Sequence, residues 1–221
     1  MPENAGYGWL DLKHADSVAE ISRYARDKDD AATAGITNSN RRRASLLGRG
    51  LLHYLAERMP AINEHVIART EAGRPFLDNG SGNSIAFASI SHSRDIVAAA
   101  LDTRSSIGID VEYCRPGRDF RRIAQRVFPA DIAGGMISAD TFYQAWTLYE
   151  AWGKANDLDH INPGRNGTLM RLLEGWLQSA TGEENRDRGI TFFKPTCHYA
   201  GCVFRVTGNV EAVHADNKIA L

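Results

Sequence analysis

The chain is short of the features that would send a protein across or into a membrane. Its 221 residues include three cysteines, Cys114, Cys197 and Cys202, an odd and scattered set. That usage argues against a disulfide framework and for reduced thiols in a reducing, cytoplasmic compartment. Cys197 and Cys202, with His198 between them, lack the spacing of a structural zinc site. No apolar run approaches the length of a transmembrane helix, and residues 1–12 lack a signal-peptide pattern. An excess of one charge is missing too: 26 Lys and Arg against 27 Asp and Glu leave a formal net charge of −1. Global attraction to nucleic acid or an anionic membrane is thereby removed, and any anion site must come from local clustering. There is no recognisable phosphate loop or nucleophile motif.

What is present suits a globular fold. Hydrophobic residues make up 43% of the chain and charged residues 24%, enough for a real core. The length allows one large domain or two of about 110 residues. The most informative stretch is Gly108-Ile109-Asp110-Val111-Glu112, where apolar residues alternate with acids as on a strand with one buried face. Ile109 and Val111 then point one way and Asp110 and Glu112 the other, the two acids' β-carbons roughly 7 Å apart. Like charges that close repel unless a cation is shared or water screens them. A hard divalent ion such as Mg2+ fits, because it takes one or two carboxylates plus water and phosphate oxygen. An acidic solvent face would show the same alternation.

Along the chain, strands are expected at residues 8–12, 66–69, 85–90 and 96–101, then at 190–193, 201–206 and 210–213. Helices are expected at 16–27, 41–58 and 139–155, while 168–177 suits helix or strand. Residues 29–40, 78–83 and 160–167 read as loops and 182–188 as a polar hairpin. The helix over 41–58 carries Arg41, Arg42, Arg43 and Arg49 in its first half, badly placed for the helix dipole. They face either an anion or solvent. His92 stands between Ser91 and Ser93 at the expected end of a strand, in a hairpin turned by Ser93-Arg94-Asp95. Arg115, Arg118, Arg121, Arg122 and Arg126 form the densest basic stretch. Glu150 and Lys154 stand four apart in the favourable order for a helical ion pair. His92 before Ile96-Val97-Ala98 is faintly echoed by His198 before Cys202-Val203-Phe204, as two similar halves would produce.

Taken in order, Gly73-Arg74-Pro75, Ser91-His92-Ser93, Gly108 to Glu112, and Trp146-Thr147-Leu148-Tyr149-Glu150-Ala151-Trp152-Gly153-Lys154 resemble the motif series of the 4′-phosphopantetheinyl transferases. The resemblance spans roughly residues 41 to 155 and is closest to the monomeric surfactin-synthetase-activating type. It implies an α+β pseudo-dimer of two similar α/β halves, residues 1–105 binding the coenzyme A nucleotide and 106–221 binding Mg2+ and docking the carrier. The implied reaction moves phosphopantetheine from coenzyme A to a serine of an apo acyl or peptidyl carrier protein, releasing 3′,5′-adenosine bisphosphate. By the same likeness Asp110, Glu112 and Glu150 hold the metal, with Asp110, Glu150 and Lys154 catalytic and Glu150 the candidate general base. Arg43, Arg49, Arg74, Ser91, His92 and Lys154 are the implied coenzyme A contacts. Tyr149 departs from the pattern, standing where the motif usually has lysine, and Asn156-Asp157 replaces a later glycine. A degenerate member that binds coenzyme A or a carrier without transfer is the alternative, and a Mg-dependent phosphohydrolase the rival enzyme.

Overall fold

The computed structural model describes residues 4–158, 166–178 and 188–206. In chain order the elements are β1 (Ala5–Asp11), α1 (Ala15–Ser22), α2 (Asp27–Thr33), α3 (Ser39–Ala56), β2 (Val66–Arg69), β3 (Pro75–Asp78), β4 (Ser84–Ser93) and β5 (Ile96–Asp102). They continue with β6 (Ile107–Tyr113), α4 (Phe120–Val127), α5 (Ala130–Gly135), α6 (Ala139–Ala155), α7 (Gly167–Gln178), β7 (Ile190–Phe193) and β8 (Tyr199–Arg205). The expected strand at 210–213, and most of the loop at 160–167 and the hairpin at 182–188, lie outside the described residues.

The fold is α+β. One antiparallel sheet has the order β1-β5-β4-β3-β2 and a second the order β6-β8-β7. Each carries one long helix on its outer face, α3 on the first sheet and α6 on the second. Alternation along the strands sorts the core into three layers. Ala99 and Leu101 of β5 pack with Leu47, Leu51 and Leu55 of α3. Ala98 and Ala100 face the opposite way and meet Ile107, Ile109 and Val111 of β6 between the sheets. The third layer joins Leu148, Ala151 and Trp152 of α6 to Ala200, Cys202 and Phe204 of β8. The order is therefore helix, sheet, sheet, helix, with five strands on one side and three on the other.

One helix stands where a polar loop is expected. α2 forms because the Asp29 carboxylate accepts the Arg26 backbone N–H at 2.9 Å, closing its first turn. Asp29 and Thr33 are then buried against α3. Tertiary burial outweighs a composition of small and polar residues. β4 also runs past residue 90 through Ser93, so Ser91 and His92 lie within the strand rather than beyond its end.

Candidate active site

β6 is an edge strand of the three-stranded sheet, so its outward backbone groups need partners from elsewhere. Side chains supply them. The hydroxyls of Ser89, Ser91 and Ser93 on β4 accept the backbone N–H groups of Ile109, Val111 and Tyr113 at 3.1, 3.4 and 3.1 Å. The Ile107 carbonyl accepts from Arg74 Nη2 at 2.9 Å, and that of Ile109 from Lys154 Nζ at 3.1 Å. On the other face of β6, Gly108 lets α6 approach: a β-carbon there would lie 2.0 Å from the Ala151 carbonyl oxygen. That close approach brings Glu150 and Lys154 over Asp110 and Glu112.

Asp110 is 4% exposed. Its Oδ1 accepts both the Ser91 hydroxyl at 2.8 Å and Lys154 Nζ at 2.7 Å. Its buried Oδ2 has no hydrogen-bond partner among the described residues. The ion pair of Lys154 is thus with Asp110 across the helix–strand contact, not with Glu150 one turn earlier. Glu112 accepts from the Ser93 hydroxyl at 3.2 Å. Desolvation pushes the Glu112 carboxyl above its usual range, and the Asp110 charge adds to it against Ser93, Arg118 and Lys154. Desolvation likewise pushes Glu150 up, with Asp110 and then Glu112 adding repulsion that Lys154 only partly offsets. Among the described residues no three His, Cys, Asp or Glu side chains are drawn into a ready-made metal cage. The three acids repel one another more than Lys154 offsets at Glu150, and one Asp110 oxygen has no hydrogen-bond partner among the described residues. An all-oxygen donor set of that kind suits Mg2+, which takes one or two carboxylates and needs no protein cage.

The opposite face of β4 belongs to a different environment. His92 lines a cleft of about 550 Å³ together with Asn38, Asn40, Arg41 and Arg43 at the N-terminus of α3 and Arg94 at the β4–β5 turn. Its ring is exposed to the cleft yet partly shielded from bulk water. That desolvation holds its pKa below the ordinary imidazole value, with the charges of Lys154 and Arg41 in the same sense. Arg94 adopts a positive φ of 50° and lays its guanidinium 3.8 Å from the Tyr113 ring centroid. Such a backbone in a side-chain-bearing residue is a stored strain of the kind found at binding sites. A cation-rich concavity at a helix N-terminus is suited to a phosphate group. Strand alternation therefore splits Ser91 from His92: the serine serves the acids and the histidine the cationic cleft.

Other candidates have different placements. Arg49 is 2% exposed, its Nε on Asp29 Oδ1 at 2.8 Å and its Nη2 on the Ile67 carbonyl at 3.0 Å. It is an interior ion pair, one turn and a half beyond the cleft, whereas Arg43 lines the cleft itself. Arg74 gives its guanidinium to the carbonyls of Ala155 and Ile107, at 3.1 and 2.9 Å, tying the start of β3 to α6 and β6. Tyr149 packs edge-on to Phe128 and Trp146, both at 5.8 Å between ring centroids. Arg115, Arg118, Arg121, Arg122 and Arg126 are all exposed on and before α4. Arg41, Arg94 and Ser93 were not among the expected site residues. The tight hairpin turn was the one available signal for Arg94.

No protein-family model matches the chain. A Haemophilus influenzae protein provisionally named a 4′-phosphopantetheinyl transferase is 39% identical over 94 residues. The 4′-phosphopantetheinyl transferase HetI of a Nostoc species is 33% identical over 89 residues. The likeness is to phosphopantetheinyl transferases. It covers 38% of this chain in each case, and 37% and 38% of the two relatives' own lengths.

Proposed function

We propose that the protein transfers the 4′-phosphopantetheine group from coenzyme A to a serine of an apo acyl or peptidyl carrier protein, with Mg2+ as cofactor. One observation carries this reading: Asp110 keeps a buried oxygen without a hydrogen-bond partner among the described residues and feels the repulsion of Glu112 and Glu150, beside a cleft lined by Arg41, Arg43, His92 and Arg94. A cation-seeking site next to an anion-seeking site suits a substrate with a pyrophosphate at one end and a phosphomonoester at the other.

Asp110, Glu112 and Glu150 are the residues that would hold Mg2+. When bound, the ion supplies charge neutralisation to the pyrophosphate oxygens. Lys154 holds Asp110 in place and adds fixed positive charge beside the same oxygens. Arg41, Arg43, His92 and Arg94 orient the nucleotide end. Glu150 takes the proton of the carrier serine as its oxygen bonds to the phosphorus nearer the pantetheine, and the bond from that phosphorus to the pyrophosphate bridge breaks. Adenosine 3′,5′-bisphosphate departs with the electron pair. The exposed arginines of α4 face outward as a landing surface for an acidic carrier, whose charge they complement. Reversing Arg121 and Arg122 is expected to weaken carrier binding and leave coenzyme A affinity unchanged, read by titrating each substrate separately.

The test is to mix the protein with Mg2+, coenzyme A and several apo carrier proteins and to weigh the carriers. A gain of one phosphopantetheine group on a carrier serine is expected. Coenzyme A bound but no carrier modified would leave a binding protein, and coenzyme A cleaved without a carrier would make it a phosphohydrolase.

A further inference from the structure

β4 meets β6 through a repeated unit. Ser91 accepts the N–H of Val111 and donates to the carboxylate of the preceding residue, Asp110, at 2.8 Å. Ser93 accepts the N–H of Tyr113 and donates to the carboxylate of its preceding residue, Glu112, at 3.2 Å. Ser89 accepts the N–H of Ile109, but the preceding residue there is Gly108, which has no side chain to receive its proton. Three rungs thus share one backbone bond, and two of them end on an acid.

We infer that Ser91 and Ser93 are positioning residues that aim Asp110 and Glu112 at a shared divalent cation. A serine hydroxyl has one proton, and once its oxygen is fixed by a backbone N–H, that proton selects one carboxylate oxygen. At Asp110 the Ser91 proton and the Lys154 ammonium both fall on Oδ1. Oδ2 is left buried and without a hydrogen-bond partner among the described residues. At Glu112 the Ser93 proton takes Oε2. The register of the ladder, two residues per rung, is the same period that puts both acids on one face of β6. Outer partners of this kind orient metal-binding carboxylates and affect affinity nearly as strongly as the ligands themselves. The inference rests on the Mg2+ role proposed above.

The ladder itself supplies the control. Mn2+ binding to the full-length protein is measured by calorimetry for the parent and for Ser89→Ala, Ser91→Ala and Ser93→Ala, with thermal unfolding recorded in parallel. Ser91→Ala and Ser93→Ala are expected to weaken Mn2+ about 10- to 100-fold. Ser89→Ala is expected to lose a comparable amount of thermal stability and keep the parent Mn2+ affinity. Ser93→Thr, which keeps a hydroxyl at the less buried rung, is expected to restore it. Parent-like Mn2+ affinity in Ser93→Ala, or equal weakening in Ser89→Ala, would overturn the positioning role while leaving the metal site standing. Absence of Mn2+ binding by the parent would overturn the metal site and the positioning role together.

Discussion

Asp29 on α2 and Asp110 on β6 are both nearly buried carboxylates, 2% and 4% exposed, and their surroundings are opposite in kind. Both oxygens of Asp29 are engaged: Oδ1 by Arg49 Nε at 2.8 Å, Oδ2 by His53 Nε2 and the Arg26 N–H, each at 2.9 Å. His53 passes the connection on through Nδ1 to His65 at 2.8 Å, whose other nitrogen meets the Asn63 carbonyl at 2.9 Å. Burial alone would push the Asp29 pKa up, but the bonds from His53, the Arg26 backbone and Arg49 together hold it at about 2. Asp110 has its partners on one oxygen and two further acids as neighbours, both with pKa values pushed up. A buried acid surrounded by donors ties α2, α3 and the loop before β2 together. Acids gathered without enough cations oppose folding, and such an arrangement persists where it does chemistry.

The largest effects should separate the two clusters by swapping acid for amide. Glu150→Gln is expected to lower transfer about 10²- to 10⁴-fold, the usual contribution of a general base, and to raise the melting temperature by removing one repelled charge. Near-parental turnover would take Glu150 out of the proton transfer. Asp29→Asn should do the reverse. Breaking a buried pair from one side costs about 3–5 kcal/mol, read as a lower denaturation midpoint, while turnover per folded molecule stays at the parent level. Comparable losses of activity in both variants would erase the distinction.

Acid titration sharpens the same contrast. Asp29 has a folded pKa below its unfolded value of 3.8, so its stabilisation is complete above that pH and lost as pH falls toward 2. The amount is on the order of 2 kcal/mol. Glu112 and Glu150 have folded values above their unfolded 4.5, so the fold gains stability as pH falls through their raised values. Stability should therefore climb on mild acidification before it drops. Mg2+ competes with those protons and should raise the melting temperature more in mild alkali than in mild acid. A flat Mg2+ effect across the range would mean that these carboxylates are not where the ion binds.

How far these features were legible depends on the distance over which each is encoded. The two-residue period of Ile109, Asp110, Val111 and Glu112 is local, and the observed strand puts Ile109 and Val111 in the inter-sheet core as alternation requires. The helices at 41–58 and 139–155 were legible for the same reason, from apolar spacing within one element. The partner of Lys154 was not. Local spacing offers Glu150, and only the close packing of α6 on Gly108 makes Asp110 nearer. The family resemblance implies Arg49 as a coenzyme A contact with Arg43, but its burial depends on α2, which composition conceals and Asp29 creates. Ser91 and His92 adjoin in sequence, and the strand puts them on opposite faces. Adjacency in the chain is a poor guide to shared chemistry in a strand.

The cationic cleft offers the smallest and finest test, because at Arg94 strain and binding pull apart. Its φ of 50° costs about 1–2 kcal/mol for a residue with a β-carbon, and glycine would remove that cost. Glycine also forfeits the stacking on Tyr113, about 0.5–1 kcal/mol at such a site, and loosens the unfolded chain by a similar amount. The stability of Arg94→Gly should therefore stay near the parent value. If the guanidinium serves the cleft, affinity for adenosine 3′,5′-bisphosphate should fall about tenfold, as expected for one charged hydrogen bond. Unchanged affinity would make Arg94 a strained turn residue with no part in binding. Lost affinity at constant stability would mean that the turn keeps an unfavourable backbone because the cation it carries is used.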